Sequence, residues 1–178
     1  MTSTPHRPPP TPPVPPAGLG PFNAAPEHSA AAALHRVCAS TTWCERVLAG
    51  RPYPDPEALL AAGDTALAAL TPDDLAEAVA GHPPIGRPEA GDPLSSREQR
   101  GMDGADDALR AEMHRLNLAY ERRFGHVLLI CATGLTAGQL RDRARLRLGN
   151  PPEREREAIR AELGGINRIR LARLAADI

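Results

Sequence analysis

Proline placement constrains this chain more than any other feature. Eight of its 20 prolines fall in the first 16 residues, and the other twelve stand at intervals along the rest. Proline fixes φ and removes a backbone donor, so helix interiors and central strands do not pass through it. The first 20 residues are rich in Pro, Thr and Gly, with almost no large apolar side chains. Such a stretch buries too little surface to offset its ordering entropy. It reads as a Pro-rich disordered tail, followed by one folding unit over residues 21–175.

Between the later prolines the sequence is helical in character. The chain holds 31 alanines and 21 leucines but five aromatic residues, and β-branched residues are sparse. Apolar residues recur at helical spacing over 27–38, 41–49, 56–69, 104–123 and 153–174. Thr71-Pro72-Asp73-Asp74 supplies an N-cap and first-turn proline for a helix to about Ala80, and Thr136 with Gln139 a capping box for one to about Leu148. Ser95 with Glu98 reads as a further capping box. The run Val127 to Ala132, flanked by Gly125 and Gly134, reads as a buried connection or short strand. These segments predict an all-α, compact single-domain helical bundle of about seven or eight helices.

Charge and composition exclude several function classes. There are 21 basic and 22 acidic residues, for a formal net charge of -1, so no global field favours nucleic acid or an anionic membrane. Every basic residue is arginine, which excludes Schiff-base and P-loop lysine chemistry. Three cysteines without a close pair suggest free thiols, and the six histidines show no metal-ligand spacing. The apolar runs are far shorter than a membrane span, and prolines occupy the place of a signal peptide's apolar middle. The expected location is cytoplasmic, with no metal.

Three residues stand out as candidates for chemistry. His82 lies in a loop stiffened by Pro83 and Pro84 and bounded by Gly81 and Gly86. It is either a proton carrier or a turn histidine that tolerates the geometry. Glu98 is either a capping residue or a carboxylate that polarises a substrate. Ser95, Ser96 and Gln99 add polar groups at the same expected helix start, where anions bind well. The arginines at 141, 143, 145 and 147 read as a solvated face interleaved with acids. Arg170 differs, because it falls near the apolar stripe of the last helix and needs a partner there. A non-catalytic helical interaction module, or a nucleic-acid-binding one using the 141–173 arginines, is the alternative reading.

Ordered motifs then sharpen the picture. The chain carries Phe22-Asn23, Cys38 through Trp43, Arg51-Pro52-Tyr53, His82-Pro83-x-Ile85-Gly86 and Ser95-x-x-Glu98-Gln99-x-Gly101. Leu116-Asn117-x-x-Tyr120-x-x-x-Phe124-Gly125, Ile130-Cys131-Ala132, Arg147-Leu148-x-Asn150 and Arg170-Leu171 follow in order. Over residues 20–174 this set resembles the OHCU decarboxylases of urate degradation, which act on 2-oxo-4-hydroxy-4-carboxy-5-ureidoimidazoline. His126 and Val127 depart from the family pattern, and so does the Pro-rich tail.

The resemblance implies an all-α enzyme without metal or organic cofactor. It implies a homodimer that takes a small ureidoimidazoline and gives (S)-allantoin, in association with uricase and hydroxyisourate hydrolase. At this length no fused hydrolase domain is expected. The implied catalytic residues are His82, Glu98 and Arg170, with Arg168 and Arg173 near enough for a small alignment shift. The implied substrate-binding residues are Pro83, Ser95, Ser96, Arg97, Gln99, Leu128, Leu129, Ile130, Cys131 and Ala132. In that scheme Arg170 aligns the leaving carboxylate, Glu98 orients the substrate and His82 moves protons. Backbone N–H groups of 128–132 hold the ring, and the substrate's own C=N carbon receives the electron pair.

Overall fold

The computed structural model describes residues 19–88, 90–91 and 93–176. Of the expected tail over residues 1–20, residues 1–18 lie outside the described residues, and its last two belong to the folded unit instead. Leu19 is buried and Gly20 opens the first helix. Nine α-helices and one 3-10 turn make up the fold, and no strand is present among the described residues. The helices are α1 (Gly20–Ala24), α2 (Glu27–Val37), α3 (Thr41–Ala49), α4 (Pro56–Ala68) and α5 (Pro72–Ala80). They continue with α6 (Pro93–Glu98), α7 (Asp107–Phe124), α8 (Ala137–Leu148) and α9 (Pro152–Ala176). The 3-10 turn, Arg100–Met102, joins α6 to α7.

Seven of these helices follow the periodic segments, and their starts follow cap chemistry. Thr136 with Gln139 forms the expected capping box, and Thr71, expected as an N-cap, forms a reciprocal box with Asp74 as well. Asp55 and Asp106 cap α4 and α7 by accepting the N–H three residues on. The two additional helices are short. Five-residue α1 has no stability of its own. It is held by buried Phe22 and by Asn23, whose amide exchanges two hydrogen bonds with the Tyr53 backbone at 2.8 and 2.9 Å. Arg51 Nη1 closes it by donating to the Phe22 and Ala25 carbonyls.

The other short helix, α6, corrects the expected capping box. Pro93, not Ser95, opens the turn, because its fixed φ suits a first helical position where a missing N–H costs nothing. Ser95 is therefore inside the helix and Glu98 is its last residue. The Glu98 side chain is directed to α9 instead of back to the helix start.

Two apolar clusters organise the interior. One gathers α2, α3, α4, α5 and α9 around Leu34, Trp43, Val47, Leu59 and Leu163. The second lies under α7 and α8 around Met113, Tyr120 and Leu140. The 127–132 segment runs between them and makes no strand. Its side chains alternate: Val127, Leu129 and Cys131 face the first cluster, and Leu128, Ile130 and Ala132 belong to the second. An extended segment with core on both faces reads as an unbroken apolar run, which is what the sequence carries.

Candidate active site

The site is built where the loop after α5 meets α6 and the far end of α9. His82 follows the helix C-cap, its N–H bonded to the Val79 carbonyl at 3.0 Å. Gly81 must be glycine here, because a Cβ would come within 2.5 Å of the Ala39 Cβ. The proline loop that follows is clamped from two sides. Gln99 Oε1 accepts the Gly86 N–H at 2.8 Å while its Nε2 donates to the Pro84 carbonyl at 3.2 Å. Asn117 on α7 donates to the Ile85 carbonyl at 2.7 Å. Gly101 lets this assembly dock, since a Cβ there would stand 1.9 Å from the Leu135 carbonyl oxygen. The three sequence motifs around His82, Gln99 and Asn117 are thus parts of one clamp.

Glu98 on α6 and Arg170 on α9 face each other. The contact is bidentate, with Nε to Oε1 and Nη2 to Oε2 both at 2.8 Å. Both side chains are about nine-tenths buried. Arg170 Nη1 donates to the Val37 and Arg36 carbonyls at 3.1 and 3.3 Å, at the C-terminal end of α2. A guanidinium suits a helix C-terminus, where unpaired carbonyls carry partial negative charge. Four hydrogen bonds therefore engage Arg170 within the protein itself. Arg173, one turn further along α9, brings Nη1 to 3.7 Å from Glu98 Oε1.

His82 is 8% exposed. Burial, helped by the nearby Arg170 charge, holds its pKa down at about 4. The imidazole is accordingly neutral at pH 7, able to accept a proton but holding none to give. Cys38 lies beside the Asn167 amide and within range of the Arg170 charge, and burial pushes its thiol up. Both polar atoms of the Asn167 side chain are buried without a hydrogen-bond partner among the described residues. No group of three or more His, Cys, Asp or Glu is placed to hold a metal ion among the described residues.

The other expected contact residues divide by position. Ser95 is buried next to Glu98, whereas Ser96 and Arg97 are exposed. Ser96, Arg97 and Gln99 line a cavity of about 510 Å³ that does not include His82, Glu98 or Arg170. Pro83 is half-buried beside His82. The side chains of Leu128, Leu129 and Ile130 fill the two cores. Cys131 N–H donates to Glu162 Oε2 at 2.8 Å, and the Leu129 carbonyl accepts from Arg147 Nη1 at 2.6 Å. Those two backbone groups already have protein partners.

Arg147 overturns the reading of its run as one solvated face. It is buried and paired with Glu155, itself 1% exposed. Arg147 Nε, Tyr120 Oη and Asn150 Nδ2 all donate to that carboxylate, the first at 2.8 Å and the last at 2.7 Å. Burial works to raise the Glu155 pKa, but these donors and the Arg147 charge carry it below its ordinary value. The signal was Leu140, Ala144 and Arg147 at spacings of four and three, one buried helix face. Of the rest, Arg145 pairs with Glu112, Arg168 with Asp64 and Arg141 with Asp142. Paired arginines of this kind do not form a basic face for nucleic acid.

A model of the OHCU decarboxylase family matches residues 23–172. The chain belongs to this family. A curated relative, the uric acid degradation bifunctional protein TTL of Arabidopsis thaliana, is 26% identical over 147 residues. That match covers 79% of this chain but 45% of the relative, so the chain spans under half the length of that protein. Two crystal structures share the fold. An OHCU decarboxylase in the presence of (S)-allantoin aligns with a TM-score of 0.74 at 21% identity, over 86% of this chain and 100% of its own. An (S)-allantoin synthase aligns with a TM-score of 0.66 at 18% identity, over 87% of this chain and 53% of its own. The matched stretch includes the clamp at His82, Gln99 and Asn117.

Proposed function

We propose that this protein decarboxylates 2-oxo-4-hydroxy-4-carboxy-5-ureidoimidazoline to (S)-allantoin, with His82, Glu98 and Arg170 as its working residues. The observation that carries the reading is a buried, neutral imidazole within range of the Arg170 charge, with Arg170 itself ion-paired to Glu98, inside the stretch that the family model matches. The substrate holds its carboxylate on a carbon next to a ring C=N carbon, so the reaction has an internal electron sink. The bond to CO2 breaks, its electron pair forms a ring C=C, and the imine nitrogen takes a proton. The hydroxyl proton then leaves as the adjacent carbon gains one, giving the ring carbonyl of allantoin. One proton is consumed overall.

In this scheme His82, neutral at the start, accepts the hydroxyl proton and returns it to carbon from one face, which sets the product's handedness. Glu98 orients the substrate's donors, and Arg170 holds the Glu98 carboxylate in place. Arg170 is thus a positioning residue, because its own donors are engaged. Ser95 and the 128–132 backbone border the ring. No helix among the described residues is long and apolar enough to cross a membrane. Free Cys38, Cys44 and Cys131 suit a reducing cytoplasm. A homodimer fed by uricase and hydroxyisourate hydrolase completes the proposal.

The test is to generate the substrate from urate with those two enzymes and follow optical rotation. Fast appearance of (S)-allantoin on adding the protein supports the reading. Slow racemic product, unchanged by the protein, overturns it.

A further inference from the structure

The start of α9 borders a cavity that the proposed chemistry does not use. It measures about 210 Å³ and lies between α5, the end of α7 and α9. Leu75, Val79 and Ile159 are buried at its floor. Phe124 and His126 form one wall, with ring planes 28° and centroids 6.3 Å apart. A carbonyl only accepts, so His126 Nδ1 donates to the Val127 carbonyl at 3.0 Å and the ring is held in place. His126 is also one of this chain's departures from the family pattern. Two polar side chains at the cavity differ in what they can still bind. Glu155 lines it, but its carboxylate already accepts from Arg147, Tyr120 and Asn150. Arg156 stands exposed at the rim and makes no ion pair or hydrogen bond among the described residues. The catalytic residues are elsewhere: Arg156 and Arg170 are 14 residues apart on α9, a rise of about 21 Å.

We propose that this cavity is a second ligand site, for a small molecule with one aromatic ring and one carboxylate. Its volume sets the size. It falls below the roughly 300–1,000 Å³ that drug-sized ligands fill, so it suits a single ring. The apolar floor and the Phe124–His126 wall favour a flat apolar body, through area burial and ring stacking. The open Arg156 guanidinium sets the charge, and its planar fork matches the two oxygens of a carboxylate. A neutral ring leaves that cation unpaired, and an anion without a ring leaves the floor uncovered. The site is independent of the decarboxylase reading above.

The probes are para-fluorobenzoate and the neutral para-fluorobenzamide, read by fluorine NMR line broadening on the full chain. The wild type is expected to broaden the benzoate saturably, with a Kd of about 0.1–1 mM, and to bind the benzamide more weakly. Arg156→Gln should weaken the benzoate about 3- to 10-fold, as for a partly exposed bidentate pair, and leave the benzamide unchanged. Ala76→Trp fills the cavity from an exposed position on α5. It should abolish binding of both probes while the helical circular-dichroism spectrum stays native. Arg154→Gln, at an exposed position outside the cavity, should bind both as the wild type does. Absence of saturable broadening by the wild type overturns the site. Equal benzoate affinity in the wild type and Arg156→Gln, or in the wild type and a folded Ala76→Trp, does the same. Displacement of the benzoate by (S)-allantoin also overturns it, by putting the probe among the catalytic residues.

Discussion

Two Glu–Arg clusters lie inside this protein, and they are built to opposite ends. Around Glu155 every donor is matched: Arg147, Tyr120 and Asn150 all bond its carboxylate, and Arg147 also ties down the Leu129 carbonyl. Around Glu98 the pairing with Arg170 is as close, yet atoms are left over. Arg173 Nη1 and both polar atoms of Asn167 have no hydrogen-bond partner among the described residues. Burial disfavours unmatched polar atoms, so a fold that completes one cluster and leaves the other open has kept the second for something else. The saturated cluster joins α7, α8, α9 and the 127–132 segment, and the open one joins α6, α9 and the end of α2. The difference supports the proposed division into scaffold and site without reference to any relative.

Breaking each cluster should therefore give different losses. His82→Ala and Glu98→Gln are expected to lower kcat by roughly 100- to 10,000-fold, the usual range for general acid–base help. Both variants should keep the native helical circular-dichroism spectrum. Near-native stereospecific turnover by both removes them from the chemistry. Glu155→Gln is expected to act the other way. It leaves the buried Arg147 charge with only the more distant Glu162 carboxylate, 3.6 Å away, so the cost approaches the roughly 3–5 kcal/mol of a broken buried pair. Urea unfolding should read that loss as a lower midpoint, with turnover retained in whatever fraction remains folded. A Glu155→Gln variant as stable as the wild type would mean that this cluster is not scaffold.

The sequence exposed one cluster more readily than the other, for a physical reason. His82, Glu98 and Arg170 sit in short ordered motifs, and proline loops and an arginine on an apolar stripe are local signals. The helices followed from periodicity and caps, and the two-faced 127–132 segment from its unbroken apolar run. Glu155 gave no such local sign, and Arg147 gave only its motif with Leu148 and Asn150 and its spacing from Leu140 and Ala144, because both stand in charge-rich stretches where most neighbours are solvated. Their burial depends on which face of α8 and α9 turns inward, a tertiary fact. The role of α6 was missed for a related reason. Ser95 and Glu98 have capping-box spacing, but Pro93 starts the turn and frees Glu98 to cross to α9. Arg173 and Asn167 flank Arg170 at three-residue spacing, a signal legible once Arg170 is fixed to the site.

Acid should unbalance the two clusters in separate pH windows. His82 has its folded pKa held at about 4, against about 6.5 for an unperturbed imidazole. Between those values the unfolded chain binds a proton that the folded protein refuses, so stability falls as pH drops from 6.5 to 4. The loss at the lower end is roughly 3 kcal/mol. Glu155 is shifted below its ordinary value, so its contribution holds through that window and disappears only in stronger acid. Urea unfolding of the wild type and His82→Gln between pH 7 and 4.5 tests this. The variant should lose the slope in that range, and an unchanged slope would assign it to other groups.

The smallest effects test the contrast most directly, through two asparagines. Asn150 Nδ2 donates to Glu155 Oε2 at 2.7 Å, a hydrogen bond to a charged acceptor. Asn150→Ala removes it and should cost about 1.5–3 kcal/mol, because the carboxylate it leaves is buried. Asn167 is more deeply buried, yet its amide has no hydrogen-bond partner among the described residues. Asn167→Ala removes a desolvated group whose polar neighbour is the Cys38 thiol, a weak hydrogen-bonding partner, so the gain offsets the small space left behind. Its expected change is within about 1 kcal/mol. Thermal or urea unfolding of the two variants side by side ranks them. If Asn167→Ala proves the more damaging, the Glu98 cluster is as saturated as the Glu155 cluster. The leftover donors would then be no guide to where substrate binds.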